Sequence, residues 1–399
     1  MSHNSKRVLI SSNLYRPNIG GAENSLYNLA LEYEKLGYFV DVVSSDMNNV
    51  TDEKLPLVEK FSDRITVYRY KADHAIVPRT FYMYKTAFCL YRKLMRMYRY
   101  EYLFVRSHFN VITAWLAGMR DIRFLLAGVV INQRANERAS LSQSKLQLFK
   151  RSLDNFYHHS MQKLAVKLAS RLMVFSQNMV DQLVNVFGCK PDIPIVKPGV
   201  DLQKFSLVTP DAKRLIREKL GIPLDKTILL GLGRFVQSKG YDQVIKALSH
   251  LSDDYVFLVV GKGVERQTYI DLANELGVQD KLMFAPPTDV PEQYYQLADI
   301  FMMTSVYETL GQTTLEAQAC GLPVIAFEPS ENIITATREI TKASTSLFCT
   351  DNDAKQLAQT VTQAKLKLED NTFNAREINS FIEENFSWRA LALTIEDTH

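Results

Sequence analysis

From Val8 to Val43 the chain sets a strand, a glycine-bearing loop, a helix and a second strand end to end, and no other feature restricts its fold as much. Val8-Leu9-Ile10 is a short unbroken apolar run, and Asn13 to Gly21 reads as loop. Ala22 to Leu36 follows as a helix until Gly37 stops it, and Phe39 to Val43 is the second strand. This order is a βαβ unit, whose expected setting is a parallel sheet.

The rhythm restarts after position 225. Thr227 to Leu232 is a strand, Tyr241 to His250 a helix and Val256 to Val260 a strand; Glu265 to Leu276 is helical again. A strand at Leu282 to Phe284, a helix at Glu292 to Ala298, a strand at Ile300 to Met303, a helix at Thr313 to Cys320 and a strand at Val324 to Phe327 complete the series. Two doubly wound α/β domains are therefore expected. A length of 399 residues agrees, since a single hydrophobic core seldom serves so long a chain. Lys197-Pro198-Gly199 marks the boundary, because proline and glycine close one series shortly before the next begins. The last helix, Trp388 to Thr394, follows a break at Asn385-Phe386-Ser387 and need not belong to the second domain.

With 46% hydrophobic and 23% charged residues, the composition is that of a soluble globular chain. The longest apolar run, Phe124 to Ile131, is far too short to span a bilayer. Met1 to Arg7 is polar, so no signal peptide is expected and the cytoplasm is the expected compartment. Cys89, Cys189, Cys320 and Cys349 show no CxxC spacing, which argues against a disulfide framework or a zinc site. Charge is divided unevenly. Residues 1–200 hold 28 Lys and Arg against 16 Asp and Glu, whereas residues 201–399 hold 19 against 28. A basic half points to an anionic partner such as phosphate, phospholipid or nucleic acid.

Three loops carry chemistry. Asn13 to Gly21 joins a strand to a helix N-terminus, where free N–H groups and the helix dipole favour an anion and Gly20-Gly21 lets it approach; a glycine pair alone is equally a plain turn. Gly231 to Gly240 occupies the equivalent place in the second domain and carries Arg234 and Lys239, which could clamp a diphosphate, although an isolated pair of this kind reads as solvated surface charge. That loop lacks both the P-loop pattern and the full dinucleotide fingerprint, so neither an ATPase nor a dehydrogenase is favoured. In the third, Glu308 lies in a loop after a strand and Glu316 about one turn into the next helix, flanked by Leu315 and Ala317. A carboxylate in such company needs a hydrogen-bond partner, and a ribose diol would serve.

On these residues Ser305 to Ile325 resembles the E-x7-E signature of retaining glycosyltransferases of the family-4 type. Gly20-Gly21-Ala22-Glu23, Pro198-Gly199-Val200-Asp201, Gly233-Arg234 with Lys239-Gly240, Gly261-Lys262-Gly263 and Phe386-Ser387-Trp388 match in the same order, so the likeness covers nearly the whole chain. The resemblance implies a GT-B fold, in which two Rossmann-like domains face each other across a cleft. The first would span 1–200 and the second 201–385, with the tail at 386–399 crossing back to the first.

The resemblance also implies roles. Arg234 and Lys239 would neutralise the departing diphosphate, Glu316 would hold the ribose hydroxyls and Glu308 would lie beside the donor sugar. Thr309, Leu310, Gly311 and Gln312 would offer backbone N–H groups, Gly261 would belong to the donor site, and Gly20 and Gly21 would approach the diphosphate. No metal and no cofactor would be needed, because fixed cations and helix termini stabilise the leaving group. Many relatives place a histidine after a strand such as Leu125 to Ile131, where this chain reads Asn132-Gln133-Arg134. His108 belongs to an earlier family position, where a lone histidine is more often structural; His108, Asn132 and Arg134 are the acceptor-side candidates.

Phe81, Tyr84, Phe88, Tyr91, Met95, Tyr98 and Tyr102 recur at spacings of three and four, with Lys85, Arg92, Arg96 and Arg99 along one edge. They form either a helix packed on its sheet or a helix that meets anionic lipid or a lipid-diphosphate acceptor. The whole pattern reads as a retaining transferase that moves a hexose from a UDP-sugar, or else a GDP-sugar, to a glycan, lipid-linked or glycolipid acceptor in surface polysaccharide synthesis. A nucleotide-sugar epimerase and a non-catalytic scaffold on the same fold are the rivals. Nucleic-acid binding is disfavoured, since the aromatics sit at helix spacing and in no recognisable binding motif.

Overall fold

The apolar runs become strands because burial is complete along them: Val8, Leu9 and Ile10 expose 0% of their surface, as do Val40, Val42 and Val43 alongside. The structure, a computed structural model, describes residues 6–18, 20–49, 51, 53–74, 78–132, 145–350 and 353–397. Among these the chain divides into two compact units. Unit 1 takes the residues up to Asn132, those before and up to Gly199, and those from Trp388 onward; unit 2 takes Val200–Ser387.

The sheet of unit 1 contains β1 (Arg7–Ser11), β2 (Phe39–Ser45), β3 (Val58–Lys60), β4 (Ile65–Tyr70), β5 (Leu103–Val105), β6 (Ile122–Leu125) and β7 (Arg171–Met173). Its order is β3-β4-β2-β1-β5-β6-β7, parallel throughout except for β3 against β4. Leu9 lies opposite Asp41 on one side and Leu103 on the other, which fixes the central register. Asp41 is fully buried there and is tied to Arg7 at 2.8 Å and to the Tyr100 hydroxyl at 2.6 Å, so the charge is matched inside the sheet.

Helix α1 (Gly21–Lys35) crosses between β1 and β2, and α2 (Arg79–Met97) and α3 (His108–Ala117) lie between β4 and β6. Helices α4 (Lys145–Leu168) and α5 (Gln177–Phe187) flank β7. The expected strand from Leu125 to Ile131 is corrected. Strand β6 ends at Leu125 because its neighbour β7 ends at Met173, and residues 130–132 already turn helical. Gln162 bridges the break by accepting from Val130 N and donating to Gly128 O.

The aromatic stripe of α2 is also divided. Tyr91 is buried in the core and Tyr84 and Met95 pack against it, whereas Phe81 and Phe88 are exposed; Tyr98 and Tyr102 lie beyond the helix end. The two pairs are offset around a helix of 3.6 residues per turn, so Tyr84 and Tyr91 reach the core whereas Phe81 and Phe88 do not.

Unit 2 forms a second parallel sheet in the order β10-β9-β8-β11-β13-β15. Its strands are β8 (Thr227–Leu232), β9 (Tyr255–Val260), β10 (Leu282–Ala285), β11 (Ile300–Met303), β13 (Val324–Phe327) and β15 (Ser346–Cys349). Three of them, β8, β11 and β13, cover the very residues their apolar patterns predict. A separate two-stranded pair, β12 (Tyr307–Glu308) with β14 (Ile334–Thr335), lies outside this sheet.

Candidate active site

Strand order reverses in unit 2 between β8 and β11, because the chain passes from β8 to β9 on one side and returns to β11 on the other. Such a switch point leaves a crevice at the carboxyl ends of the strands. The loop after β8 is stitched across it, since Thr304 Oγ1 donates to Lys239 O at 3.0 Å and Val306 N donates to Ser238 O at 2.9 Å. Gly240 makes the approach possible. It has φ 64°, and a Cβ there would strike the Thr304 carbonyl.

A cavity of about 340 Å³ opens at this point, lined among others by Gly233, Arg234, Lys239, Glu308, Thr309 and Thr313. Lys239 Nζ donates to Glu308 Oε2 at 2.7 Å, with the two side chains 18% and 21% exposed. Strand pairing locks the Glu308 backbone, whose carbonyl accepts from Ala336 N at 3.0 Å. A larger depression of about 490 Å³ lies beside Pro210 and Leu224, away from this loop. Its Lys213 and Arg217 are already paired with Asp299, both at 2.7 Å, so their charge is committed to the fold.

Glu316 sits within α10 (Gln312–Ala319), counting α6 (Pro210–Leu220), α7 (Tyr241–Leu248), α8 (Arg266–Glu275) and α9 (Pro291–Leu297) before it. The Tyr295 hydroxyl donates to Glu316 Oε2 at 2.9 Å. Burial pushes the Glu316 carboxyl up to about 7, against the opposing pull of that hydrogen bond and of Lys204. The two glutamates thus occupy different settings, Glu308 held by a cation and Glu316 by a phenol.

Not all of the predicted donor residues reach the cavity. Arg234, Lys239, Glu308 and Thr309 share it, whereas Leu310 packs against the core and Gly311 is the buried N-cap of α10, with Gln312 starting the helix. Gly261 packs so close to the Gly233 loop that a Cβ there would strike the Gly233 carbonyl, which leaves no room for a side chain. Sequence reasoning missed Ser238, Thr313 and Tyr295. The first two stand beside residues already singled out, but Tyr295 comes from another helix, and nothing in its neighbourhood points to Glu316.

Gly20, Gly21, His108 and Asn132 belong to unit 1. Gly20 caps α1 without a side-chain hydrogen bond, and the Glu23 carboxylate lies over it. His108 opens α3, its Nε2 3.4 Å from His158 Nδ1. Asn132 donates to Gln182 Oε1 at 2.8 Å. Arg134 lies outside the described residues. Among the described residues no three His, Cys, Asp or Glu side chains group to hold a metal ion, and no helix is long and apolar enough to cross a membrane.

Comparison with known proteins follows the same division. The family described as "Glycosyltransferase Family 4" matches residues 19–204, and "Glycosyl transferases group 1" matches residues 212–378. The chain belongs to the group 1, family-4 type glycosyltransferases. A D-inositol 3-phosphate glycosyltransferase of Xylanimonas cellulosilytica is 34% identical over 171 residues, 40% of this chain and 41% of that protein. The chain thus spans about two-fifths of that relative's length. Among solved structures, sucrose-phosphate synthase from Thermosynechococcus elongatus has a TM-score of 0.76 at 19% identity, covering 98% of this chain and 97% of its own. Alr3699/HepE from Anabaena, solved with UDP and glucose, has a TM-score of 0.73 at 16% identity, covering 98% of both chains. These likenesses carry the GT-B fold for this family member.

Proposed function

We propose that this family member is a retaining glycosyltransferase that moves a hexose from a nucleotide diphosphate sugar, UDP before GDP, to a glycan, lipid-linked or glycolipid acceptor without a metal ion. The reading rests on one observation above the rest. Arg234, Lys239 and Glu308 share a cavity at the switch point of unit 2, where a diphosphate and the sugar beside it would need two cations and a carboxylate. Arg234 and Lys239 take the charge that builds on the diphosphate as the glycosidic bond breaks, and Glu308, freed from Lys239 by that anion, turns to the sugar. Glu316 holds the ribose hydroxyls.

Relatives named for D-inositol 3-phosphate widen the acceptor class to small phosphorylated polyols. Donor turnover in EDTA, with the anomeric configuration of the product read by NMR, tests the reading. Activity persists in the chelator and the configuration is kept; loss rescued by Mg²⁺, or an inverted product, rules it out.

A further inference from the structure

The Tyr295 ring is held by two other aromatics. It stands edge-on to Phe205, with ring centroids 5.8 Å apart, and to Phe301 at 5.7 Å, and none of it reaches solvent. Phe205 comes from the segment before α6 and Phe301 from β11, so three separate parts of unit 2 fix where the phenol hydroxyl points. Burial pushes that hydroxyl well above its usual range, so it keeps its proton and stays a donor.

Its one proton is spent on Glu316 Oε2 at 2.9 Å, and among the described residues no other side chain hydrogen-bonds to that carboxyl. Burial raises Glu316, and the phenol is the strongest influence against it. The other groups that face it do less. Lys204 also favours the ionised form, yet its Nζ donates to Asp289 O at 3.0 Å and lies 3.5 Å from Glu292 Oε2, so its charge is shared. Cys320, at the end of α10, is buried too, and burial raises its thiol so that it stays neutral.

A carboxylate with one oxygen pinned presents the other in one direction. Protonated, or free to turn, the same group would offer a diol a weaker and less directed acceptor.

We propose that Tyr295 is a positioning residue of the donor site, whose hydroxyl fixes Glu316 Oε2 so that Oε1 is held ready for the ribose hydroxyls. Tyr295 touches no substrate itself. The ribose in this statement rests on the transferase reading; the hold on Glu316 does not. Discrimination between ribose and deoxyribose is then set in part by a side chain on α9 that sits behind the carboxyl.

The test uses the full chain. UDP and 2′-deoxy-UDP are titrated calorimetrically from pH 6 to 9 into the parent and Tyr295→Phe, which keeps the ring and its packing. The Glu316 carboxyl of the free protein is followed by carbon-13 NMR, its signal assigned by its loss in Glu316→Gln. Tyr295→Phe weakens UDP about tenfold at pH 7, as loss of one hydrogen bond to a charged group does, and weakens 2′-deoxy-UDP much less. Its Glu316 signal titrates at higher pH than the parent's, because the hydrogen bond that favoured the ionised form is gone, and UDP affinity recovers in part as pH rises. An equal loss for both nucleotides with an unmoved Glu316 titration marks a packing role only and overturns the proposal, as does no change in either. A parent that binds UDP and 2′-deoxy-UDP alike overturns the ribose half of it. A parent that binds neither counts against the transferase reading, and the carboxyl titration then decides the hold on Glu316 by itself. If Tyr295→Phe does not fold, Phe205→Leu, which removes one neighbour of the ring, takes its place, with a smaller shift in the same direction.

Discussion

Lys239 and Glu308 neutralise each other at 2.7 Å in the free chain, so an arriving diphosphate competes with a carboxylate that is already in place. Loss of either cation falls on turnover if it meets charge that builds in the transition state. Arg234→Ala and Lys239→Ala each reduce kcat by about 10²–10³. Glu316→Gln mainly raises the donor KM, since a ribose is alike in ground and transition states. Glu308→Gln lowers turnover while UDP still binds. The parent's donor affinity also rises with pH through about 7, where the Glu316 carboxyl loses the proton that burial holds on it and becomes an acceptor only. Steady-state rates and UDP titration at pH 6 and 8 check the set, and four variants that behave like the parent refute the site. Glu308 and Glu316 were legible because their spacing is local. Tyr295 was not, because it meets Glu316 only when two separate helices are brought together.

Helix α2 shows how far a pattern carries. Its spacing reveals a helix, yet only packing decides which row is buried: Tyr91 and Leu94 face the core, and Phe81, Lys85, Phe88, Arg92 and Arg96 stay exposed on the other side. An exposed face that mixes aromatic and basic residues suits an anionic lipid surface. On that reading, the expected outcome is that the chain sediments with anionic vesicles more than with neutral ones, and less as salt rises. Each cation near such a surface contributes about 1 kcal/mol, so replacing Lys85, Arg92, Arg96 and Arg99 by glutamine abolishes the preference. Equal sedimentation with both vesicle types removes lipid from the reading. The buried parallel strands β8, β11 and β13 were legible as unbroken apolar runs. Strand β3 was not, since Val58-Glu59-Lys60 is a half-exposed edge that its one antiparallel partner defines.

At the scale of the molecule, the chain enters unit 2 at Val200 and leaves it at Ser387, and helix α13 (Trp388–Asp397), after α11 (Ala354–Glu369) and α12 (Ala375–Asn385), returns to unit 1. Tyr33 donates to Ala392 O at 3.3 Å, and Arg123 reaches the carbonyls of Ile395 and Glu396. Trp388 is only 8% exposed and lies so close to Gly199 that a Cβ there would strike its ring. Trp388→Ala therefore opens a gap in unit 1 and costs about 3–5 kcal/mol. Urea unfolding followed by circular dichroism measures it, and an unchanged midpoint contradicts the packing.

The return of α13 has a consequence for synthesis. A chain emerging from the ribosome makes nearly all of unit 1 first, then the whole of unit 2, and only then the helix that covers Tyr33 and accepts from Arg123. Unit 1 starts first and is finished last. Through that interval the surface around Tyr33 and Arg123 lacks its cover until residues past 387 appear.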